Sequence, residues 1–487
     1  MPRVLLALLC AACVALPVLV VRFPPSTDLP QHVAQVRLFW EAVAEPDGLY
    51  RVQWLTPYSL VYAIVGGAWE FLGPADAGRG TVIVLGLLWV GAIHLCAAAR
   101  RRPPGAAVLA SLLFFSPILY WGFLSFAIGW PVFALWVLLT TRHGSTPLRP
   151  AHGALLFGGA LLLYVTHALW FAVGMIWLVA HSLIFRLPWR TTLARLVSIS
   201  PVVIVAALWY PQLSAAGFSS DTVFMTTPTA RLSFSWLAAA ACGGLRGATR
   251  YGAFAALAAW LGAVMYSHRS MLWSRIDHEL LLAAGVLAAM ALLMPAKHMN
   301  TILFAERWVA PAVTVLLLAF PAPIASPLVR RIVPATVLLV FSLSTAAAWV
   351  RFERTDLSGL DETLDALPAK PRIIGLDFLK ASQVIADRPF VQTFAYAQVL
   401  RGGELNFSFA EFAPMLVVYR ELPRRTGWTP SLEWFAERVE PSDFAAFDYA
   451  IVSGDERVHA EFAGRRTLEP ITHEGVWRLY RIREAPP

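Results

Sequence analysis

Apolar runs of near-membrane length fill the first 350 residues and constrain the fold more than any other feature. A helix needs about 20 mainly apolar residues to cross about 30 Å of hydrocarbon, and twelve runs approach that length. The chain is therefore predicted to be a polytopic α-helical membrane protein. The candidate spans are 3–22, 55–72, 80–99, 104–120, 122–140, 152–166, 168–185, 193–210, 250–267, 279–295, 308–325 and 331–350.

The composition supports this class and excludes others. Hydrophobic residues make up 58% and charged residues 14% of the chain, against about 45–50% and about 25% in soluble domains. A soluble globular enzyme is therefore excluded. The 19 Trp, 29 Phe and 12 Tyr also exclude a disordered or collagen-like chain. The four cysteines have neither a metal-binding spacing nor the pattern of a disulfide framework.

The net charge of +8 is divided unevenly along the chain. Residues 1–350 hold 22 Lys and Arg against 10 Asp and Glu, whereas residues 351–487 hold 17 against 21. Basic loops between spans explain the sign of the charge, so the bilayer and not nucleic acid is the expected partner. Beyond residue 350, short strand-like runs alternate with helical ones. This predicts a transmembrane domain at 1–350 and a small α/β domain at 351–487.

The orientation of the spans depends on the run at 55–72. If this run crosses the bilayer, Arg100–Arg102 and Arg330–Arg331 fall outside, against the positive-inside rule. If it lies along or dips into the outer face, those groups turn inward. The second arrangement predicts about 11 transmembrane helices, an external loop at 23–79 with juxtamembrane surface helices, and an inside N-terminus. It also makes the α/β domain extracytoplasmic.

Asp28 is the first candidate catalytic residue, because it lies where the chain leaves the first span. It opens an amphipathic segment that predicts a helix lying on the membrane. An Asp ahead of Leu29 and Pro30 is a good helix cap, and partial desolvation would alternatively make it a general base. His32 lies one turn further on the same helix face, where a hydrogen bond or a ligand contact is expected. Two side chains do not make a metal site, so no metal ligand is assigned.

A second candidate group flanks the short loop between two late spans. Lys297 leaves one span, and Glu306 and Arg307 enter the next, so Lys297 and Arg307 must lie near each other. One interpretation is snorkelling of the cations to head groups, with Trp308 in the aromatic belt. The other is a binding site for a lipid phosphate, because Arg offers paired donors and Lys a mobile charge.

Two further features lie on the same predicted side. His167 interrupts an apolar stretch between two spans and is a candidate pocket residue. The alternative interpretation is that His167 is a structural residue that forms a hydrogen bond with the Thr166 hydroxyl or with a backbone carbonyl. The stretch at 211–249 is less apolar and predicts a mobile loop, and its glycines do not form a nucleotide-binding fingerprint.

Three short sequences carry a resemblance to a known family. They are Thr27-Asp28-Leu29-Pro30-Gln31-His32, Leu55-Thr56-Pro57-Tyr58-Ser59-Leu60 and Glu306-Arg307-Trp308. With one anchor span, an external loop with an early Asp, a run of spans and an outward C-terminal domain, the chain resembles the integral-membrane glycosyltransferases of the GT-C fold. The resemblance covers the layout of about residues 1–350.

The resemblance implies transfer of a hexose or pentose from a polyprenyl-phosphate donor to a glycan, lipid or protein acceptor. The reaction would take place at the outer face of a bacterial cytoplasmic membrane, in the cell envelope. Asp28 would take the role of base, and Arg307 and Lys297 would stabilise the leaving phosphate. His32, His167 and Glu306 would line the substrate site.

Several alternatives stay open from the sequence. Many members of the family carry two adjacent acidic residues where Asp28 is followed by Leu29, so Glu306 or Asp47 would supply a second carboxylate, or catalysis has been lost. A divalent metal cofactor is also an open alternative. A transporter or lipid-translocating protein is a rival class, but its charges would lie near the midplane and its halves would be related. A non-catalytic scaffold with the same fold is the third interpretation.

Overall fold

Helices form most of the molecule, and the strands lie mainly in its last third. The computed structural model describes residues 3–54, 56–142, 149–215, 221–299, 301–423 and 427–483. The helices are α1 (Arg3–Leu19), α2 (Leu29–Ala44), α3 (Ser59–Leu72), α4 (Pro74–Ala99), α5 (Pro104–Ser111), α6 (Pro117–Tyr120), α7 (Leu124–Arg142), α8 (Pro150–Thr166), α9 (Ala168–Ile184), α10 (Trp189–Ala215), α11 (Phe234–Cys242), α12 (Ala248–His268), α13 (Leu272–Arg275), α14 (His278–Leu293), α15 (Val309–Ala319), α16 (Val329–Asp356), α17 (Leu360–Asp365), α18 (Tyr396–Arg401) and α19 (Glu456–Gly464). The strands are β1 (Tyr50–Val52), β2 (Thr222–Val223), β3 (Lys297–His298), β4 (Thr301–Ile302), β5 (Arg372–Asp377), β6 (Glu404–Leu405), β7 (Val417–Tyr419), β8 (Tyr449–Ser453), β9 (Leu468–Pro470) and β10 (Trp477–Ile482).

The helices make this a multi-pass membrane protein. Within the described ranges, four helices are long and apolar enough to cross a bilayer, namely α4, α7, α10 and α16. Residues 248–275 and 278–293 pass the same test as a pair bent by 106°, which gives up to five spans. Five more apolar helices have 10–17 residues.

The predicted number of about 11 transmembrane helices is not confirmed by helix length. A helix of 17 residues is about 26 Å long, which is shorter than about 30 Å of hydrocarbon. Two apolar runs are also interrupted. The run at 104–120 contains a 3₁₀ turn at Leu112–Phe115 before Pro117 starts a new helix. The run at 308–325 stops being helical at Phe320, which is extended because Pro321 follows it.

The segment after α16 forms a five-stranded mixed sheet in the order β6-β5-β8-β10-β9. Strand β5 is parallel to β6 and β8, and β10 is antiparallel to β8 and β9. Strand β7 lies outside this sheet and pairs with β1 in antiparallel fashion. Helix α16 continues to Asp356, so the predicted domain boundary at 350 lies inside it, and the domain division stays a prediction.

Helix α2 is covered by this C-terminal segment. Residues 29–36 are all buried, and the Gln35 amide donates to the Val417 carbonyl (3.1 Å) and accepts from the Val417 N–H (2.8 Å). The Gln31 amide likewise accepts from the Phe409 N–H at 3.1 Å. The first half of α2 therefore does not lie open on a membrane surface, because its polar side chains satisfy the backbone of the segment that covers it.

Candidate active site

The backbone of residues 26–28, here called the strap, is fixed against the loop at 119–123. The Thr27 N–H donates to the Tyr120 carbonyl at 2.8 Å, and the Asp28 N–H donates to the Trp121 carbonyl at 3.1 Å. The Thr27 hydroxyl donates to the same Tyr120 carbonyl at 3.1 Å. The loop therefore sets the position of Asp28 through main-chain bonds.

Gly122 makes this close approach possible. It has a φ of +76°, which favours glycine, and a Cβ at this position would lie 2.6 Å from the Asp28 nitrogen. Its neighbours Tyr120 and Trp121 are only 3% and 8% exposed. Both rings are therefore packed inside the protein and do not lie at a membrane interface.

The Asp28 side chain does not cap the helix that follows it. Asp28 has helical backbone angles, φ −89° and ψ −3°, and its carboxylate makes no capping hydrogen bond. No side chain or backbone group of the described residues donates to it or forms an ion pair with it. Burial raises the pKa of Asp28 to about 7, although the Arg307 charge acts in the opposite direction. A partly exposed carboxylate with this pKa exchanges a proton near neutral pH, as a general base must.

Arg307 is held inside the protein and does not snorkel. Its side chain is in a 3₁₀ turn ahead of α15 and is 4% exposed. It donates through Nε to the Leu303 carbonyl (3.2 Å) and through Nη2 to the Ile302 carbonyl (2.5 Å). The guanidinium lies over the Phe123 ring at 4.0 Å and 5.3 Å from the Phe126 ring. Burial lowers the pKa of Arg307 to about 10, so it is charged at neutral pH.

Trp308 lies beneath Arg307 and is not part of an aromatic belt. It is 0% exposed, and its ring centroid lies 4.8 Å from Phe126 and 5.0 Å from Trp170. These rings support the turn that carries Arg307.

His167 lies in the break between α8 and α9, close to Arg307. Its Nδ1 accepts from the Leu169 N–H at 3.1 Å, so the neutral ring carries its proton on Nε2. The ring lies edge-on to Tyr58 at 4.8 Å and to Phe126 at 5.5 Å. The Thr166 hydroxyl is not the partner of His167, because it donates to the Leu162 carbonyl instead. The partner is a backbone N–H and not a backbone carbonyl.

His32 does not contact the Asp28 carboxylate, although both lie on one face of α2. Its Nδ1 is 3.2 Å from the Tyr62 hydroxyl, and its ring is edge-on to Phe409 at 5.2 Å. Burial lowers the pKa of His32 to about 4, so the ring is neutral. His32 connects α2 to α3 and to the C-terminal segment.

Glu306 and Arg307 are adjacent in sequence, and the charge of each acts on the other. No ion pair joins the two side chains. The Glu306 Oε2 atom is buried with no hydrogen-bond partner in the described structure, and burial raises the pKa of Glu306. The charge of Arg231, which the sequence did not single out, also acts on Glu306. Arg231 donates through Nη1 to the Ala291 carbonyl at the end of α14 (3.0 Å).

The stretch at 211–249 is held by contacts at several points. Over its described residues it does not form one mobile loop. Besides Arg231, strand β2 pairs with β3, and α11 occupies Phe234–Cys242. Residues 216–220 of this stretch lie outside the described residues, as does Leu55 of the Pro-containing motif.

Lys297 lies beside Arg307 through the backbone. It pairs with Ile302 in the β3–β4 hairpin, and the Ile302 carbonyl accepts from Arg307. The half-buried Lys297 side chain forms no hydrogen bond with a described residue. The hairpin therefore connects the two residues through the Ile302 backbone, and the closeness of their charged groups stays a prediction.

The donor set does not resemble a metal site. No group of three or more His, Cys, Asp and Glu side chains among the described residues is arranged to hold a metal ion. Asp47 lies beyond the far end of the 16-residue helix α2, about 24 Å along its axis from Asp28. Asp47 is therefore not a second carboxylate beside Asp28, which has Arg307 as its charged neighbour.

The helices, the early acidic loop and the C-terminal sheet segment together define a membrane protein of the GT-C fold. Two crystal structures of ArnT from Cupriavidus metallidurans superpose on 98% of this chain and 97% of that protein, with 13% sequence identity. The TM-score is 0.56 for ArnT in the apo state and 0.57 for ArnT bound to undecaprenyl phosphate. No protein-family model and no curated protein sequence matches the chain.

Proposed function

We propose that the protein is a membrane glycosyltransferase that moves a hexose or pentose from a polyprenyl-phosphate donor to an acceptor, with Asp28 as the general base. The observation that carries the proposal is that the loop at 119–123 contacts two groups of opposite charge, the strap with the partly exposed Asp28 and the buried Arg307. Asp28 has no capping bond and a pKa of about 7, and the Arg307 charge acts on it. The full-length likeness to ArnT, solved with undecaprenyl phosphate, supports a lipid-linked donor.

The proposed reaction uses the groups in complementary roles. Asp28 takes the proton of the acceptor hydroxyl as the new bond forms between the acceptor oxygen and the anomeric carbon. The bond between that carbon and the phosphate oxygen breaks, and the polyprenyl phosphate leaves with the negative charge. Arg307 stabilises this charge, with Lys297 and the His167 Nε2–H as further donors. Glu306 and His32 line the substrate site, and His32 also connects α2 to Tyr62 and Phe409.

Donor binding tests the proposal directly. We expect undecaprenyl phosphate to raise the melting temperature of the purified protein. Arg307→Gln should weaken this binding at least tenfold, which is about 1.4 kcal/mol, because the charge opposite the phosphate is gone. Arg465→Gln is the matched control, since Arg465 pairs with Glu461 on α19. Equal shifts in the wild type and Arg307→Gln, or no shift with any polyprenyl phosphate, would contradict the proposal.

The proposal includes the orientation of the protein in a bacterial cytoplasmic membrane. The chain crosses the membrane about 11 times, with its N-terminus on the cytoplasmic side and residues 351–487 as an extracytoplasmic domain. A reporter that is active only outside the cytoplasm, fused after residue 487, is expected to be active. A reporter that is active only inside should be silent at the same junction, and the reverse result would overturn this orientation.

A further inference from the structure

A surface cavity lies at the end of α1 opposite the strap. It has a volume of about 150 Å³ and is formed by the start of α1, the end of α4 and the start of α5. Helix α1 leads from this cavity towards the strap, and its 17 residues span about 26 Å. The cavity therefore belongs to a different part of the protein from Asp28 and Arg307.

Two arginines line the cavity and have no carboxylate partner. Arg3 is exposed in the first turn of α1, and Arg102 lies just after α4. Neither forms an ion pair with a described residue. The charge of Asp277 acts on Arg102, but the Asp277 carboxylate is paired with Arg100 at 2.8 Å. The two cations at the cavity are therefore free to bind an anionic group.

Arg102 is held in place by the last turn of α15. Its Nε donates to the Leu318 carbonyl at 2.8 Å, and its Nη2 donates to the Ala319 carbonyl at 2.6 Å. Its Nη1 forms no hydrogen bond with a described residue. Arg102 is therefore a positioned cation with a remaining donor, which favours specific binding over a loose surface charge.

His94 adds a third polar group to the cavity. It lines the cavity from α4, and its Nε2 atom is buried with no hydrogen-bond partner among the described residues. Most of the wall around it consists of small or apolar residues, which include Val4, Ala7 and Ala98. An imidazole nitrogen in such a wall is costly unless a ligand satisfies it.

The apolar wall continues along the outer surfaces of α1 and α4. Val4 and Leu8 of α1 are exposed, as are Leu88 and Leu95 of α4. Exposed apolar side chains on membrane helices contact the acyl chains of the bilayer. A ligand with an anionic head and an apolar tail would therefore fit both the arginines and this surface.

We propose that the cavity binds the phosphate of an anionic phospholipid, whose acyl chains lie along α1 and α4. Arg3 and Arg102 bind the phosphate oxygens, because guanidinium groups match the geometry of phosphate. His94 forms a hydrogen bond with the polar part of the same lipid. In the proposed orientation the lipid belongs to the inner leaflet, where basic pockets between helices bind anionic head groups.

The test titrates the full-length protein in detergent with phosphatidylglycerol and follows the melting temperature. We expect a rise with phosphatidylglycerol and none with phosphatidylcholine, whose headgroup also carries a positive charge. Arg3→Gln and His94→Leu should each weaken the affinity for phosphatidylglycerol at least fivefold. Arg190→Gln is the matched control and should leave the affinity unchanged, because Arg190 is an exposed arginine of α10 and does not line the cavity.

A pair of substitutions in α4 tests the cavity itself. Ala98 and Ala99 are both exposed, but only Ala98 lines the cavity. Ala98→Leu should fill the cavity mouth and weaken the affinity for phosphatidylglycerol at least fivefold, whereas Ala99→Leu should keep it. Without lipid, both variants should melt like the wild type, because neither side chain is buried.

Two further arms separate this site from other phosphate sites. Glycerol 1-phosphate has no acyl chains and should not reproduce the melting shift at the same concentration, and an equal shift would overturn the assignment to a lipid. Arg307→Gln should keep the shift with phosphatidylglycerol, because Arg307 lies far from the cavity, and loss of the shift would place the lipid at the donor site instead. Equal affinities in the wild type, Arg3→Gln and Ala98→Leu would overturn the proposal.

Discussion

Asp28→Asn is expected to reduce transfer by about 10²- to 10⁴-fold, the usual contribution of a general base. Asn has nearly the same shape but cannot take a proton. Donor binding should persist, because Arg307 and the aromatic rings beneath it are unchanged. The measurement is the transfer rate at saturating donor, together with the melting temperature of the purified variant.

The stability of this variant distinguishes the base from a helix cap. The raised pKa of Asp28 means that its contribution to stability is fully present below its unfolded pKa and is lost as the pH rises through about 7. At pH 8, Asn removes a disfavoured buried charge, so the variant should melt no lower than the wild type. A loss of about 0.5–2 kcal/mol would be the result expected of a cap.

The pH profile supplies a control for the same prediction. In the wild type, kcat/KM should rise about tenfold per pH unit below about 7 and level off above it, as Asp28 ionises. Arg307→Gln should move the midpoint to higher pH, because the Arg307 charge lowers the pKa of Asp28. If kcat/KM does not fall as the pH is lowered below about 7, Asp28 is not the group that takes the proton.

Gly122→Ala is expected to have the second large effect. The new Cβ would lie 2.6 Å from the Asp28 nitrogen at a residue with a φ of +76°, so the strap must move. A displacement of about 1 Å costs on the order of 10²-fold in rate, and a non-glycine residue in this conformation costs about 1–3 kcal/mol. Both the transfer rate and the melting temperature should fall.

Gly91→Ala is the matched control for this substitution. Gly91 lies in α4 with no atom within 4 Å of the added Cβ, and alanine favours a helix by about 1 kcal/mol. This variant should keep the wild-type rate and melt slightly higher. If Gly122→Ala behaves like Gly91→Ala, the contact of the loop with the strap does not position Asp28.

The sequence singled out polar residues at the ends and breaks of apolar runs. Asp28 and Arg307 lie at such ends and His167 at such a break, and the Arg307 charge acts on both others. Their catalytic and binding roles stay predictions. Gly122 and Arg231 were missed, because nothing local marks their roles. Their partners lie about 94 and 60–75 positions away in the chain, and only packing brings them together.

Hydropathy was less reliable for helix ends. It does not register the 3₁₀ turn at Leu112–Phe115 or the extended Phe320, so it predicts more full-length spans than helix geometry provides. It also predicted that the helix after Asp28 lies on the membrane. The C-terminal segment that covers α2 is more than 350 residues away in the chain, beyond the reach of any local pattern.

The glutamine contacts of α2 set an order for biogenesis. Gln31 and Gln35 bond to Phe409 and Val417, whose separations from them along the chain are 378 and 382 residues. While the ribosome is still making the helices between them, these amides and the Asp28 strap have no partner from the C-terminal segment. The cover of α2 is therefore completed late in synthesis, after most of the chain has entered the membrane, although the loop at 119–123 that positions the strap is made early. A prematurely terminated chain would lack this cover, and its two glutamine amides would lack their C-terminal partners.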